Sequence, residues 1–227
     1  MEETSKQIQE IVEELYRKNP DAAHDINHIM RVFNIASSIA KKEKSVDMQI
    51  LEAALLLHDI GGYKEIRDST GKIDHAVESA KMAEPILREL NFDEKQIKHI
   101  QDCIISHRYR TENKPQTIEA KILFDADKLD STGAIGIARS FCWVGKNNAE
   151  IYRKVNLDEY KNDNMGGKLT GRIHDKSKHN PWIEYNTRTK FLVDRLFTKS
   201  AKDICKERLS FTRKFFNRLE KEIEGEL

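Results

Sequence analysis

Wherever apolar residues recur in this chain they recur three and four positions apart, and almost nowhere in alternation. That spacing lines one face of a helix, so the sequence predicts an all-α fold with almost no strand. Only 4 prolines and 10 glycines interrupt 227 residues, which leaves long stretches in which helices can run. A first helix is expected over about 5–16, and Asn19-Pro20-Asp21 then breaks the chain and opens a second, which carries His28 and places Val32, Ile35, Ala36 and Ile39 on one face. Asp47 is placed to cap a third, with Ile50, Ala53, Ala54 and Leu57 inward, ending at Gly61-Gly62. A loop over 63–72 leads to a helix over about 74–90, and Asp93 caps another that reaches His107. The polar stretch 108–116, with Pro115, reads as a connection. Helix resumes over 117–129 and runs into small residues over 131–140 that suit close packing.

From Gly145 to Asn180 the periodicity fades and the chain turns polar, with Gly166-Gly167, Gly171 and a cluster of Lys, Arg and His. The expected organisation is therefore a helical core over 1–145, a polar loop or lid over 146–181, and C-terminal helices over 182–227 that pack on the core as parts of one domain. Lys+Arg 39 against Asp+Glu 38 leaves no global charge to draw the protein to a nucleic-acid polymer or an anionic membrane, so any affinity for phosphate must be local. No apolar run is long enough to span a membrane and no apolar leader opens the chain, so a cytoplasmic protein is expected. Cys103, Cys142 and Cys205 are odd in number and far apart, which argues against both a disulfide framework and a thiolate metal site.

The chemistry concentrates in ALLLHDIGG, where His58 and Asp59 interrupt the end of an apolar helix. An ionised carboxylate beside Leu55, Leu56 and Leu57 is costly unless a cation or several donors compensate it. Two explanations fit the dipeptide taken alone, a metal site or a hydrogen-bonded capping pair. At the last turn of a helix, a short carboxylate and a longer imidazole can converge on one ion, and the negative end of the helix dipole favours it. Upstream, HDINHIMRVFNIA sets His28 near the start of a helix with Arg31 three residues on. Downstream, ILFDADKLDSTGAIGIAR carries Asp125, Asp127 and Asp130 at the end of an apolar helix.

The order of a His in HxxRV, then HD, then an Asp in ADKLD resembles the HD-domain superfamily of metal-dependent phosphohydrolases. DADKLD followed by GAIGIAR is similar to one branch of its hydrolases over most of the chain, as is the tail FLVDRLFTKSAKDICKERLSFTRKFF. The resemblance implies an HD-type helical bundle with His28, His58, Asp59 and Asp127 holding a divalent metal between helices. Two imidazoles and two carboxylates suit Mn, Fe, Co, Ni or Zn better than Ca, with Mg a weaker guest. It further implies hydrolysis of a phosphate ester or anhydride of a nucleotide or similar small metabolite, by water that the metal activates. The alternative is a regulatory module that binds metal or nucleotide without turnover.

Several further residues are candidates, each with an ordinary reading beside it. His75 and His107 stand where two-metal members of the family place extra histidines; otherwise His107 meets substrate and His75 caps a helix or lies at the surface. Lys64 and Lys128 are candidate phosphate ligands and Glu65 a candidate acid or base, against solvated loop charges or salt bridges. His24 shares a helical face with His28 and either lines the cleft or is a partly exposed first-turn histidine, and Asp25 is an incidental neighbour or supports a ligand from behind. Arg31 is expected to pair with acids near the site, and Asp130 to cap a helix or accept from a ligand histidine. Lys168, Arg172, His174, Lys176, Lys178 and His179 could close over a polyphosphate, though such a run is usually a solvated face.

Overall fold

A computed structural model of the chain describes residues 3–19, 26–108, 113–169 and 171–227. Among these residues there is no strand, as the spacing predicted. The chain divides into two compact units, Met1–Asp127 and Lys128–Leu227.

The first unit is built around a short helix that is buried on every side. Helix α1 (Glu3–Lys18) and α2 (Ile26–Ala40) precede α3 (Met48–Leu57), and α4 (Gly62–Arg67), α5 (His75–Glu89) and α6 (Glu94–Ser106) follow it. All of α3 from Ile50 to Leu57 is buried, so its apolar residues have no wet face to avoid, and α1, α2, α5 and α6 pack around it. Glu52, the one acid of that helix, is buried too and accepts from the Ser5 hydroxyl of α1. The caps lie where the sequence placed them. Asp47 accepts from the amides of Gln49 and Ile50, and Asp93 closes a capping box with Gln96.

The expected stop at Gly61-Gly62 is corrected. Helix α3 ends at Leu57 with His58 as its C-cap, and Gly61 has φ −86°, far from the left-handed conformation of a glycine cap. Gly61 is small for another reason. A Cβ there would stand 2.7 Å from the backbone nitrogen of Ser79 on α5, and the Gly61 amide donates to the Ser79 hydroxyl at 2.9 Å. That close approach pins the His58-Asp59 turn against α5. The break at Pro20 and the residues His24 and Asp25 lie outside the described residues.

The second unit begins within α7 (Ile118–Leu129), after Asp127. Helix α8 (Gly133–Lys146) packs along α11 (Lys199–Ile223), and the Gly133 amide donates to the Thr212 hydroxyl at 3.1 Å. The polar stretch expected as a loop or lid contains α9 (Leu157–Asn164), whose Tyr160 packs with Met165 and with Ile183 of α10 (Pro181–Thr187) in a small core of its own. Asn164 ties that stretch together, receiving the Asp175 amide and donating to the Asp175 carbonyl. No helix among the described residues is long and apolar enough to cross a membrane.

Candidate metal centre

The first unit draws side chains from the ends of several helices to one place. His28 lies on the buried face of α2, beside Ile29 and Val32, and is 1% exposed. His58 is fully buried at the end of α3, where the last carbonyls lack helical partners, and its Nδ1 donates to the Leu55 carbonyl at 2.8 Å. His107 ends α6 in the same way, with Nδ1 donating to the Ile104 carbonyl at 2.5 Å. His75 opens α5, and its Nδ1 donates to Glu65 at 2.6 Å. Carbonyls and carboxylates only accept, so Nδ1 of each of these three rings carries a proton, and in a neutral ring Nε2 then presents a bare lone pair.

Those lone pairs surround Asp59. Its Oδ2 stands 3.6 Å from His28 Nε2 and 3.8 Å from His58 Nε2, and His28 Nε2 is also 3.5 Å from Asp127 Oδ1. Its Oδ1 stands 3.4 Å from His107 Nε2 and 3.5 Å from His75 Nε2, which are 3.3 Å from each other. Buried His58 Nε2 and Asp59 Oδ1 have no hydrogen-bond partner. Acceptors facing one another without a proton between them repel, so the unpartnered His58 Nε2 and Asp59 Oδ1 call for a cation. Atoms bound at ~2.1 Å to a first-row divalent ion lie ~3.0–3.4 Å apart, and the spacings around Asp59 Oδ1 come closer to this than the slightly wider ones around Oδ2. His28, His58 and Asp59 form one set that could hold an ion, and Asp59, His75 and His107 a second.

Burial drives the His58 imidazole down to about 4, which keeps it neutral. Burial opposes the charge of Asp59, and positive charge on the side of His58, His107 and His75, which protonated rings or a bound cation would supply, is what holds the carboxyl well below the usual carboxylate range. Burial likewise opposes the charge of Glu65, and the hydrogen bonds from His75 with the Arg108 guanidinium bring it down to about 2.

Other candidates sit elsewhere. Glu65 is engaged by His75 and by Arg108 at 2.8 Å, so it is not an open acid or base. Lys64 pairs with Glu78 at 3.2 Å, and Lys128 is half-buried at the start of the second unit. Asp130 caps no helix but pairs with Arg139 at 2.7 Å. His179, grouped with the solvated basic run, is 3% exposed and joined to Tyr160 and Glu184. The sequence reading missed Arg108, which reaches Glu65 at 2.8 Å and Asp74 at 2.8 Å. Nothing in the spacing signals it, since Glu65 and Arg108 lie 43 positions apart.

Comparison with known proteins places the fold in a family. Residues 25–132 fit the family model of the HD domain. This part of the chain belongs to the HD-domain superfamily. The chain is 27% identical over 214 residues to the uncharacterized protein YpgQ of Bacillus subtilis, covering 90% of this chain and 86% of that one. The crystal structure of YpgQ in complex with ADP shares the fold, with a TM-score of 0.67 at 24% identity over 96% of this chain and 94% of that one. A predicted HD superfamily hydrolase from an uncultured Thermotogales bacterium superposes with a TM-score of 0.63 at 28% identity, over 96% and 91% of the two chains. The 3'-5' exoribonuclease YhaM of Bacillus licheniformis is 32% identical over 120 residues, which are 46% of this chain and 37% of YhaM.

Proposed function

We propose that this protein is a metal-dependent phosphohydrolase acting on a nucleotide or similar small phosphorylated metabolite, with His28, His58, Asp59 and Asp127 holding one divalent ion and Asp59, His75 and His107 a second. One observation carries the reading. Asp59 turns one oxygen toward His28 and His58 and the other toward His75 and His107, as a carboxylate shared between two cations would. When bound, such ions lower the pKa of water and polarise a phosphoryl oxygen, so no protein nucleophile is required.

The chain's own part is to fix and neutralise. Three rings are locked by acceptors on Nδ1, and His28, His58 and His107 are almost wholly buried, so the site is ordered before any substrate arrives. Asp59 and Asp127 bring the negative charge that balances a divalent ion, and the imidazole nitrogens favour Mn, Fe, Co, Ni or Zn over Mg. Phosphoryl transfer needs mainly positioning and charge compensation, and a preorganised ion supplies both. The nucleotide preference rests on YpgQ, a relative over most of the chain, having been solved with ADP. YhaM shares less than half of either chain, so an RNA oligomer belongs in the test as a competing substrate.

The experiment is a metal-reconstituted assay of the purified full chain against nucleoside mono-, di- and triphosphates, cyclic nucleotides and a short RNA, with released phosphate and pyrophosphate measured. Turnover of a small nucleotide that chelator abolishes and Mn²⁺ restores is expected. Bound metal without turnover of any substrate would reduce the site to a binding module, and absence of bound metal would end the reading.

A further inference from the structure

The three locked imidazoles find their Nδ1 acceptors in two different ways. His58 and His107 stand at the C-terminal ends of α3 and α6, where carbonyls three residues back are free to accept. His75 stands at the N-terminal end of α5, which offers amide donors and no free carbonyl. Its acceptor must come from outside the helix, and Glu65 of α4 supplies it. One Glu65 oxygen accepts from His75 Nδ1 at 2.6 Å and from the His75 backbone amide at 3.0 Å.

Glu65 is itself held. Its other oxygen accepts from Arg108 at 2.8 Å, and the Arg108 guanidinium also reaches Asp74 at 2.8 Å. Asp74 is the N-cap of α5 and accepts from the Ala76 amide at 2.9 Å. Glu65, Asp74 and Arg108 thus join α4, the start of α5 and the end of α6 around one ring, and Arg108 directly follows His107. A carboxylate on the far nitrogen of a metal-binding histidine fixes the ring and makes its near nitrogen more basic.

We infer that Glu65, clamped by Arg108 and Asp74, is a positioning residue that turns the Nε2 lone pair of His75 toward Asp59 and so sets the affinity of the second ion site alone. This rests on the two-ion reading above. Without Glu65 the ring has no acceptor on Nδ1, can change tautomer and can rotate away, while His28, His58 and Asp127 keep their places.

Two measurements on the full chain test it. In metal-free wild-type protein labelled with ¹⁵N, the His75 ring is expected to carry its proton on Nδ1; a proton on Nε2 would overturn the inference without any variant. In Mn²⁺ titration followed by calorimetry and elemental analysis, two ions are expected in wild type. Glu65→Leu, which removes the acceptor, should weaken the second by ~10–100-fold and leave the first unchanged, with Arg108→Lys moving the same way by less. Second-site affinity unchanged from wild type in a Glu65→Leu protein with native circular dichroism would reject the positioning role. A wild type that takes a single ion, unaltered by His75→Ala, would instead reject the two-ion reading, and that result is visible before any Glu65 variant is made.

Discussion

Each unit buries a histidine almost completely, and the two could hardly be used more differently. His179 in the second unit donates from Nε2 to the Glu184 carboxylate at 2.8 Å, which leaves Nδ1 to accept from the Tyr160 hydroxyl at 2.8 Å. That hydroxyl in turn receives Asn164 at 2.7 Å, so every polar atom in the group is matched to a complementary one. His58 in the first unit has its Nδ1 matched and its Nε2 left bare beside a carboxylate that offers no proton. Burial alone therefore says little about a histidine. What marks a metal site is a set of acceptors arranged so that only a cation can satisfy them, and both such sets among the described residues lie in the first unit.

The contrast breaks most sharply at Asp59. Asp59→Asn keeps the shape but places an amide between the imidazoles and removes the shared charge. Turnover should fall by ~10³-fold or more, and bound Mn²⁺ should fall at both sites, as read by elemental analysis. Retained metal with lost turnover would show that the imidazoles hold the ions without the carboxylate. Metal removal should come next in size. Mn²⁺ at 100-fold above its Kd should stabilise the folded state by ~2.7 kcal/mol per site, a rise in Tm of about 5–10 °C by calorimetry. A chelator should return the protein to the lower Tm, and an unchanged Tm would mean the bare lone pairs are not where ions bind.

Much of this difference was legible in the sequence, and the rest was not for identifiable reasons. Helical spacing and the caps Asp47 and Asp93 are local signals, and they placed the helices of the first unit closely. The convergence of His28, His58, Asp59 and Asp127 was read through the resemblance of their motifs to the HD-domain superfamily, with the apolar run before His58 and Asp59 as the physical sign that these two must find company. Gly61 was misread as a helix cap because the sequence cannot show that α5 comes within 2.7 Å of where its side chain would be. Arg108 and its pairing with Glu65 escaped because an ion pair between distant positions leaves no period and no motif. Helix α9 escaped because eight residues with only Leu157 and Tyr160 apolar carry little amphipathic signal, and its core is assembled with Met165 and Ile183 from beyond its own ends. For the same reason His179 looked like part of a solvated basic run.

The smallest expected effect tests the other side of the comparison. His179→Phe keeps the ring volume and removes both hydrogen bonds. Tyr160 would keep Asn164 as a donor and lose its own acceptor, while Glu184, about a third exposed and also bonded to Arg188 at 3.1 Å, would keep a partner and reach water. The loss should therefore stay near the low end of the range for an unsatisfied buried group, ~1–2 kcal/mol in denaturant unfolding. Because every group that meets metal spacing among the described residues belongs to the other unit, Mn²⁺ stoichiometry should not change. Loss of a bound ion in a folded His179→Phe protein would show that a histidine with both nitrogens already matched still takes part in holding metal, and the distinction drawn between the two buried rings would fail.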